Sequence, residues 1–317
     1  MGVHKGEMTK DRLEKYIKGY AEKGAQVIDT NMQAGNMLEG AFPAARSETE
    51  RASFFVTHGN PGVRSVAMSG TVDQTTWDYK EIYAYLDWDK YSYMISDDAK
   101  DWAAVDRMAA DGNRNALEFF GASRTYEIIT ALKAGNDSSC THGASAYWNA
   151  DSGNAEGDIM QAIEGIVQYS GVNLKTRKIG VVYPSKVLRG LKELDLIHNT
   201  TQRLEKYLKE MFAEDFGGIN FYPFTPYKDA DGNSYIDTNQ TSSDALSTSA
   251  LVFVEGPQTL KTFKYTATGS GMTETTRIHD RGWVTTMRHC YGTKVVPMYD
   301  ASYLTTPLIY EITAVSA

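Results

Sequence analysis

The feature that most constrains the fold is an alternation of helix and strand between residues 158 and 256. An apolar stripe at helical spacing begins at Asp158. Two short apolar runs, IGVVYP (179–184) and ALVFVEG (250–256), have the length and composition of buried strands. Alternation of this kind predicts an α/β section in which helices cover a sheet.

A strand, a tight turn and a helix also begin many phosphate-binding sites. Such a site needs glycine at the junction, because backbone N–H groups must approach the phosphates. In IGVVYPSKVLRGLKEL (179–194) the junction is Tyr-Pro-Ser, and proline has no N–H to donate. Neither GxGxxG nor GxxxxGK(S/T) occurs in the chain. The unit is therefore predicted to be part of the domain wall and not a nucleotide site.

Length and charge narrow the class of protein. A chain of 317 residues suggests about two domains, and no run of about 18 apolar residues could span a membrane. A net charge of −8 argues against sequence-specific DNA binding as the main task, because phosphate contact needs clustered cations. The two cysteines, Cys140 and Cys290, are interpreted as free buried thiols, with a disulfide as the alternative.

Two helical regions stand out outside the α/β section. Residues 8–30 have apolar side chains at helical spacing and are slightly basic, whereas residues 31–62 are rich in Gly and Pro and are predicted to form an extended arm with little core. A second helical pattern starts at Ser96, is predicted to break at Asp111-Gly112-Asn113, and resumes over 113–134. One helix over 113–134 is about 33 Å long, which suits a spine.

Two further regions are predicted to be β-rich. Residues 63–95 are predicted to form a long hairpin, with Trp77, Tyr83 and Tyr85 on one strand face. In the C-terminal part, a strand is predicted to end at a Tyr291-Gly292-Thr293 turn, with KVVPMY as its partner strand.

Charge is unevenly distributed along the chain. Residues 73–101 carry a net charge of −5, whereas residues 173–209 carry +6. An acidic aromatic hairpin and a basic α/β surface predict docking between copies of the chain. The candidate contact residues are Trp77, Tyr83, Tyr85, Asp87, Asp89, Lys186, Arg189 and Lys192.

The sequence contains few motifs of catalytic or metal-binding sites. No two histidines have metal-ligand spacing, and no GxSxG motif occurs. The segment DADGNSYID (229–237) is interpreted as a turn because its Gly is not where an EF-hand needs it; a weak cation site at Asp229, Asp231 and Asp237 is the alternative. An enzyme with a loop-borne site around Cys140, His142 and Trp148 also stays open.

The order of parts resembles the major capsid proteins of tailed viruses, which have the Hong Kong 97-type fold. Four stretches carry the resemblance: NRNALEFFGASRTYEIITALKAG (113–135), GDIMQAIEGIVQYSGVNLKTRKIGVVYPSKVLRGLKEL (157–194), ALVFVEGP (250–257) and RGWVTTMRHCYGTKVVPMYDASYL (281–304). The likeness is one of order and pattern, from about residue 60 onward.

The resemblance implies an α+β fold of four parts. These are an N-terminal helix and arm (1–62), an extended hairpin loop (63–95), a peripheral domain with the spine helix (96–135 and 272–317) and an axial α/β domain (136–271). It implies a structural protein and not an enzyme, without a cofactor. An encapsulin-like nanocompartment shell is the alternative with the same fold.

The expected partner is the chain itself, as hexamers and pentamers of an icosahedral virion assembled in the host cytoplasm. The shell would enclose double-stranded DNA without sequence preference. Portal, scaffolding and decoration proteins are further expected partners. Many relatives carry a scaffolding segment ahead of the arm and this sequence shows none, so the expectation is a separate scaffolding protein or none.

Overall fold

In the computed structural model, the structure describes residues 10–30, 36–58, 78–96, 102–150, 153–185, 187, 218–224, 248–265, 272–278, 281–298 and 304–316. The helices are α1 (Lys10–Thr30), α2 (Trp102–Ala134) and α3 (Ala155–Ser170), and a 3₁₀ turn follows at Leu174–Thr176. Asn154 caps α3 by accepting a hydrogen bond from the Gly157 N–H at 3.0 Å, and Gly171 ends it with φ 65°. These helices agree with the predicted helical patterns.

The predicted break at Asp111–Asn113 is wrong, because α2 runs without interruption through these residues. Gly112 instead allows close packing: a Cβ there would lie 2.6 Å from the Tyr93 ring. The Asn113 side chain accepts a hydrogen bond from the Tyr93 hydroxyl at 3.1 Å and donates one to the Tyr20 carbonyl at 3.4 Å. Residues that resemble a turn in sequence therefore join α1 and α2 to a strand.

Twelve strands lie in the described residues, and they form two five-stranded sheets and a hairpin. Their bounds are β1 (Ala45–Ser47), β2 (Arg51–His58), β3 (Asp78–Tyr85), β4 (Asp87–Ser96), β5 (Thr141–Gly143), β6 (Ile179–Pro184), β7 (Ile219–Phe224), β8 (Ala250–Val254), β9 (Leu260–Tyr265), β10 (Met272–Ile278), β11 (Gly282–Val295) and β12 (Ile309–Thr313). The strand predicted at 179–184 is thus confirmed, and the one predicted at 250–256 is confirmed over Ala250–Val254.

Sheet A has the strand order β5–β12–β8–β6–β7 and is covered on both faces. Apolar side chains of α3 pack on one face, and side chains of α2 with the segment 37–42 pack on the other. All six residues of β6 and all five of β8 are buried. Leu38 and Phe42 are buried in this core, so the expectation of little core in residues 31–62 is wrong at these positions.

Sheet B is organised around β11, which pairs with β4 along one edge and with β10 and then β9 along the other. The predicted turn at Tyr291-Gly292-Thr293 is wrong, because β11 continues as one strand to Val295. Gly292 marks a crossing instead, since a Cβ there would lie 2.4 Å from the Tyr85 carbonyl oxygen. Helices α1 and α2 cover one face of β4, β10 and β11.

The remaining hairpin pairs β2 with β3 from Arg51–Tyr85 to His58–Asp78. The described part of the hairpin predicted over 63–95 is paired differently, because β3 pairs with residues 51–58 and β4 pairs with β11; residues 59–77 lie outside the described residues. How the chain divides into domains stays a prediction. The sheet pairing adds that β9 joins β11 in sheet B and that β12 joins β5 and β8 in sheet A.

Candidate inter-subunit surface

The β2–β3 hairpin has one face built into the subunit and one face open to solvent. The alternating side chains of the inner face are buried and pack against Phe263 and Cys290; they are Ala52, Phe54, Val56, Ile82 and Ala84. On the outer face, Phe55 and Tyr85 are each 67% exposed. Two large aromatic side chains at this exposure on one strand pair form the strongest candidate contact surface among the described residues.

Cation–π contacts and a hydrogen bond fix the side chains on this outer face. The Arg51 guanidinium lies 3.6 Å from the centroid of the Tyr83 ring and 5.8 Å from that of Tyr85. The Tyr83 hydroxyl donates to Glu81 at 2.5 Å, and this hydrogen bond lowers the pKa of Glu81 and raises the pKa of Tyr83. Of the predicted contact residues, Tyr83 is thus held within its own chain, whereas Tyr85 presents its ring to solvent.

Asp87 and Asp89 have different surroundings, although they are two residues apart. Asp87 is exposed. Asp89 lies 2.9 Å from Nη2 of the buried Arg124 and accepts a hydrogen bond from Ser123 at 2.6 Å. A role for Asp89 at a contact with another copy stays a prediction, and the side chain already has partners within its own subunit.

Arg124 is the centre of a charged cluster that joins α2 to β4 and β11. Its Nη1 lies 2.7 Å from Glu127, and its guanidinium lies 4.5 Å from the Tyr291 ring centroid. Burial raises the pKa of Glu127, and the Arg124 charge opposes this shift. The cluster was not singled out from the sequence; its only signal there is an i,i+3 Arg–Glu pair within an otherwise apolar helix face.

His289 lies on the same covered face of β11. Its ring centroid is 5.8 Å from that of Phe120. Burial, together with the positive charges of Arg124 and Lys264, lowers the pKa of His289 to about 3. The imidazole is therefore neutral at pH 7.

The other predicted contact residues, Trp77, Lys186, Arg189 and Lys192, lie outside the described residues. The proposed weak cation site at Asp229, Asp231 and Asp237 does so as well. In the described part of the chain, no three His, Cys, Asp or Glu side chains are grouped as metal ligands, and no helix is long and apolar enough to cross a membrane.

The residues of the enzyme alternative line the core of sheet A. Cys140 is a free, buried cysteine, and burial raises its pKa to about 11, so the thiol is protonated at neutral pH. A thiol in this state is a poor nucleophile. The Trp148 indole N–H donates to Asp158 at 2.9 Å, and the His142 ring packs 5.4 Å from the Tyr310 ring centroid. These contacts order the wall around Cys140 without activating it.

The arrangement of two sheets, a long helix and a side hairpin is the fold of tailed-virus major capsid proteins, and the predicted α+β capsid fold class is confirmed. The structure described as the capsid of an empty GTA (gene transfer agent) particle has 11% identity and a TM-score of 0.59, and covers 88% of this chain and 89% of that one. A phage-related protein from Bordetella bronchiseptica has 13% identity and a TM-score of 0.58, with 91% and 96% covered.

A third similar structure is a virus-like particle from Pyrococcus furiosus, with 15% identity, a TM-score of 0.54, and 92% and 98% of the two chains covered. No family model matches this sequence, and no curated protein matches it. At these identities the likeness establishes the fold.

Proposed function

We propose that the chain is a structural shell subunit, the major capsid protein of a tailed virus of bacteria or archaea. The observation that carries the proposal is the fold, shared over 88–92% of this chain with capsid and particle structures. Many copies assemble as hexamers and pentamers into an icosahedral head that encloses double-stranded DNA. The protein is part of the virion and assembles in the host cytoplasm.

The hairpin supports this function physically. Its inner face is anchored in the subunit, so its outer face can be presented to a neighbour at little cost in ordering entropy. Aromatic and arginine side chains such as Phe55, Tyr85 and Arg51 are the types that dominate contact energies. Each contact can be weak, because many are made at once in a closed shell.

A second candidate is an encapsulin-like nanocompartment shell, which the similarity to the virus-like particle from Pyrococcus furiosus favours. The two candidates differ in their contents. Nucleic acid in purified particles supports the virus capsid, whereas a co-purified enzyme supports the nanocompartment. Portal, scaffolding and decoration proteins are proposed as partners of the capsid only.

Electron microscopy of the expressed protein tests the shell function directly. We expect shells or ring-shaped capsomers, and a protein that stays a dispersed monomer at all concentrations contradicts the proposal. The double variant Phe55→Ser/Tyr85→Ser is expected to lose assembly and keep its thermal unfolding transition. The matched control Met94→Ser/Ile278→Ser changes two similarly exposed apolar side chains on sheet B and is expected to assemble.

A further inference from the structure

The turn between α3 and β6 presents three cations on a fixed backbone. Leu174 is buried and anchors the turn, and the Asn173 side chain accepts a hydrogen bond from the Lys175 N–H at 3.0 Å. The Arg177 N–H donates to the Leu174 carbonyl at 3.0 Å, and the Lys178 carbonyl accepts from the Glu255 N–H at 2.9 Å. All four residues from Lys175 to Lys178 are exposed, and this segment is called the basic turn.

In the part of the subunit that the structure describes, the positive charge of the basic turn is not compensated. Among the residues that the structure describes, no carboxylate forms an ion pair with Lys175, Arg177 or Lys178. Glu255 is joined to the turn by a backbone hydrogen bond. Its carboxylate, however, accepts hydrogen bonds from Asn220 at 2.9 Å and from Tyr222 at 2.7 Å.

We propose that the basic turn contacts the phosphate backbone of nucleic acid enclosed by the shell. This inference rests on the proposed capsid function and adds which surface of the subunit faces the contents. Three neighbouring cations and the Thr176 hydroxyl are the groups that bind phosphate oxygens without reading sequence. Hydrogen bonds of the turn fix the backbone that carries these side chains, so no backbone entropy is lost on contact.

Nucleic acid fits this surface better than an acidic surface of another copy does. Protein contacts centre on aromatic and arginine anchors surrounded by apolar side chains, and the four exposed residues of the basic turn include Arg177 but no aromatic or large apolar side chain. In its described strands, the acidic region 73–101 has cations near its acids: Lys80 and Lys90 accompany Glu81, Asp87 and Asp89. Charge complementarity between the basic turn and that region is therefore weak.

The test compares DNA binding by capsomers of the wild-type protein and by capsomers of the variant Lys175→Ala/Arg177→Ala/Lys178→Ala. Fluorescence anisotropy of a labelled 30-base-pair duplex is recorded with disassembled capsomers between 50 and 200 mM NaCl. Loss of three phosphate contacts is expected to lower the salt slope of log Kd by about one unit per cation removed. It is also expected to weaken binding by roughly tenfold or more at the lowest salt.

The matched control is Arg46→Ala/Lys90→Ala/Arg107→Ala, which removes three exposed cations from β1, β4 and α2. The control is expected to bind the duplex as the wild type does. The inference is overturned if the wild type does not bind DNA, if the basic-turn variant keeps the wild-type affinity and slope, or if the control loses as much. A basic-turn variant that binds DNA normally but no longer assembles assigns the turn to contacts between copies and also overturns it.

The DNA readout and the shell readout fail separately. If the wild type forms no particles but binds DNA, and the basic-turn variant does not bind DNA, the capsid function is contradicted and the phosphate contact is retained. Particles that form normally from both proteins, with the same ratio of nucleic acid to protein by absorbance, keep the capsid function and reject the contact.

Discussion

Sheet A and sheet B are built from the same chain, but in the described residues sheet A is covered on both faces, whereas sheet B is covered on both faces only where the β2–β3 hairpin packs on Phe263 and Cys290. Strands β6 and β8 lie between α3 on one side and α2 with the segment 37–42 on the other. In sheet B, helices cover one face of β4, β10 and β11, while Met94 and Ile278 on the other face are 48% and 45% exposed. The difference shows where a side chain contributes to folding and where it is available to a partner.

The largest expected effect of this difference is on stability. Phe253→Ala in β8 removes a side chain that packs against Phe42 and Tyr222, and we expect a loss of about 3–5 kcal/mol in the free energy of unfolding. Met94→Ala on the open face of sheet B is expected to change it by less than about 1 kcal/mol. Chemical denaturation measures both values. Equal losses would contradict the idea that coverage separates the two sheets.

Asp87 and Asp89, two residues apart in β4, provide the next comparison. Asp89→Lys removes a carboxylate from the buried Arg124 and adds a like charge, so we expect the subunit to lose about 3 kcal/mol or more. Asp87→Lys reverses a charge on an exposed residue, and the monomer is expected to keep its stability within about 0.5 kcal/mol. Thermal unfolding distinguishes the two variants, and particle formation by Asp87→Lys then tests the docking role of Asp87 without loss of fold. A fully stable Asp89→Lys variant would show that the Arg124 cluster is not needed.

A substitution at Gly292 tests the close backbone contact between β11 and Tyr85. Gly292→Ala places a Cβ 2.4 Å from a backbone oxygen, which cannot move away as a side chain can, and we expect a loss of about 1–3 kcal/mol. Gly19→Ala is the control, because its Cβ meets nothing within 4 Å and alanine favours the helix by about 1 kcal/mol. Calorimetry should show opposite shifts in Tm, and a Gly292→Ala variant as stable as the wild type would mean that the crossing can widen.

The covered face of sheet B also predicts a pH dependence. The pKa of His289 is lowered to about 3 in the folded chain, compared with about 6.5 when unfolded. Between these values the unfolded chain binds a proton that the folded chain does not, so stability is complete above pH 6.5 and falls as the pH decreases toward 3. The contribution is at most about 1.4 kcal/mol per pH unit.

His289→Gln isolates this effect by difference. The raised pKa of Glu127 acts in the opposite direction at acidic pH, but it is present in both proteins. Denaturation at pH 7 and pH 5 should show a smaller pH-dependent loss in the variant. The same loss in both proteins would mean that the imidazole becomes solvated on acidification.

The differences in coverage also explain how much could be predicted from the sequence. IGVVYP and ALVFV are apolar throughout because both faces of sheet A are buried, and their strands were predicted correctly. The break in α2 and the turn in β11 were predicted wrongly. Gly112 and Gly292 resemble turn residues, but each provides room for a neighbouring segment that is distant in sequence. Single-sequence patterns do not contain that information.

The candidate contact surface could also be predicted only in part. Alternating aromatic residues indicated that one face of the hairpin strand was available, and Tyr85 is exposed as this pattern requires. The intrachain partner of Asp89 could not be predicted, because Arg124 lies on another element 35 positions away and becomes its neighbour only when α2 packs on β4. Charge counts along a sequence cannot separate a solvated carboxylate from one that holds a buried cation.

The unbroken course of β11 has a mechanical consequence. Fourteen residues of extended chain are about 46 Å long and bond to β4 along one edge and to β10 and β9 along the other. Tension along the strand loads these hydrogen bonds in shear and shares the force among them, instead of opening them one after another. For the proposed shell subunit, this pairing predicts that β11 resists a stretching force applied along its length.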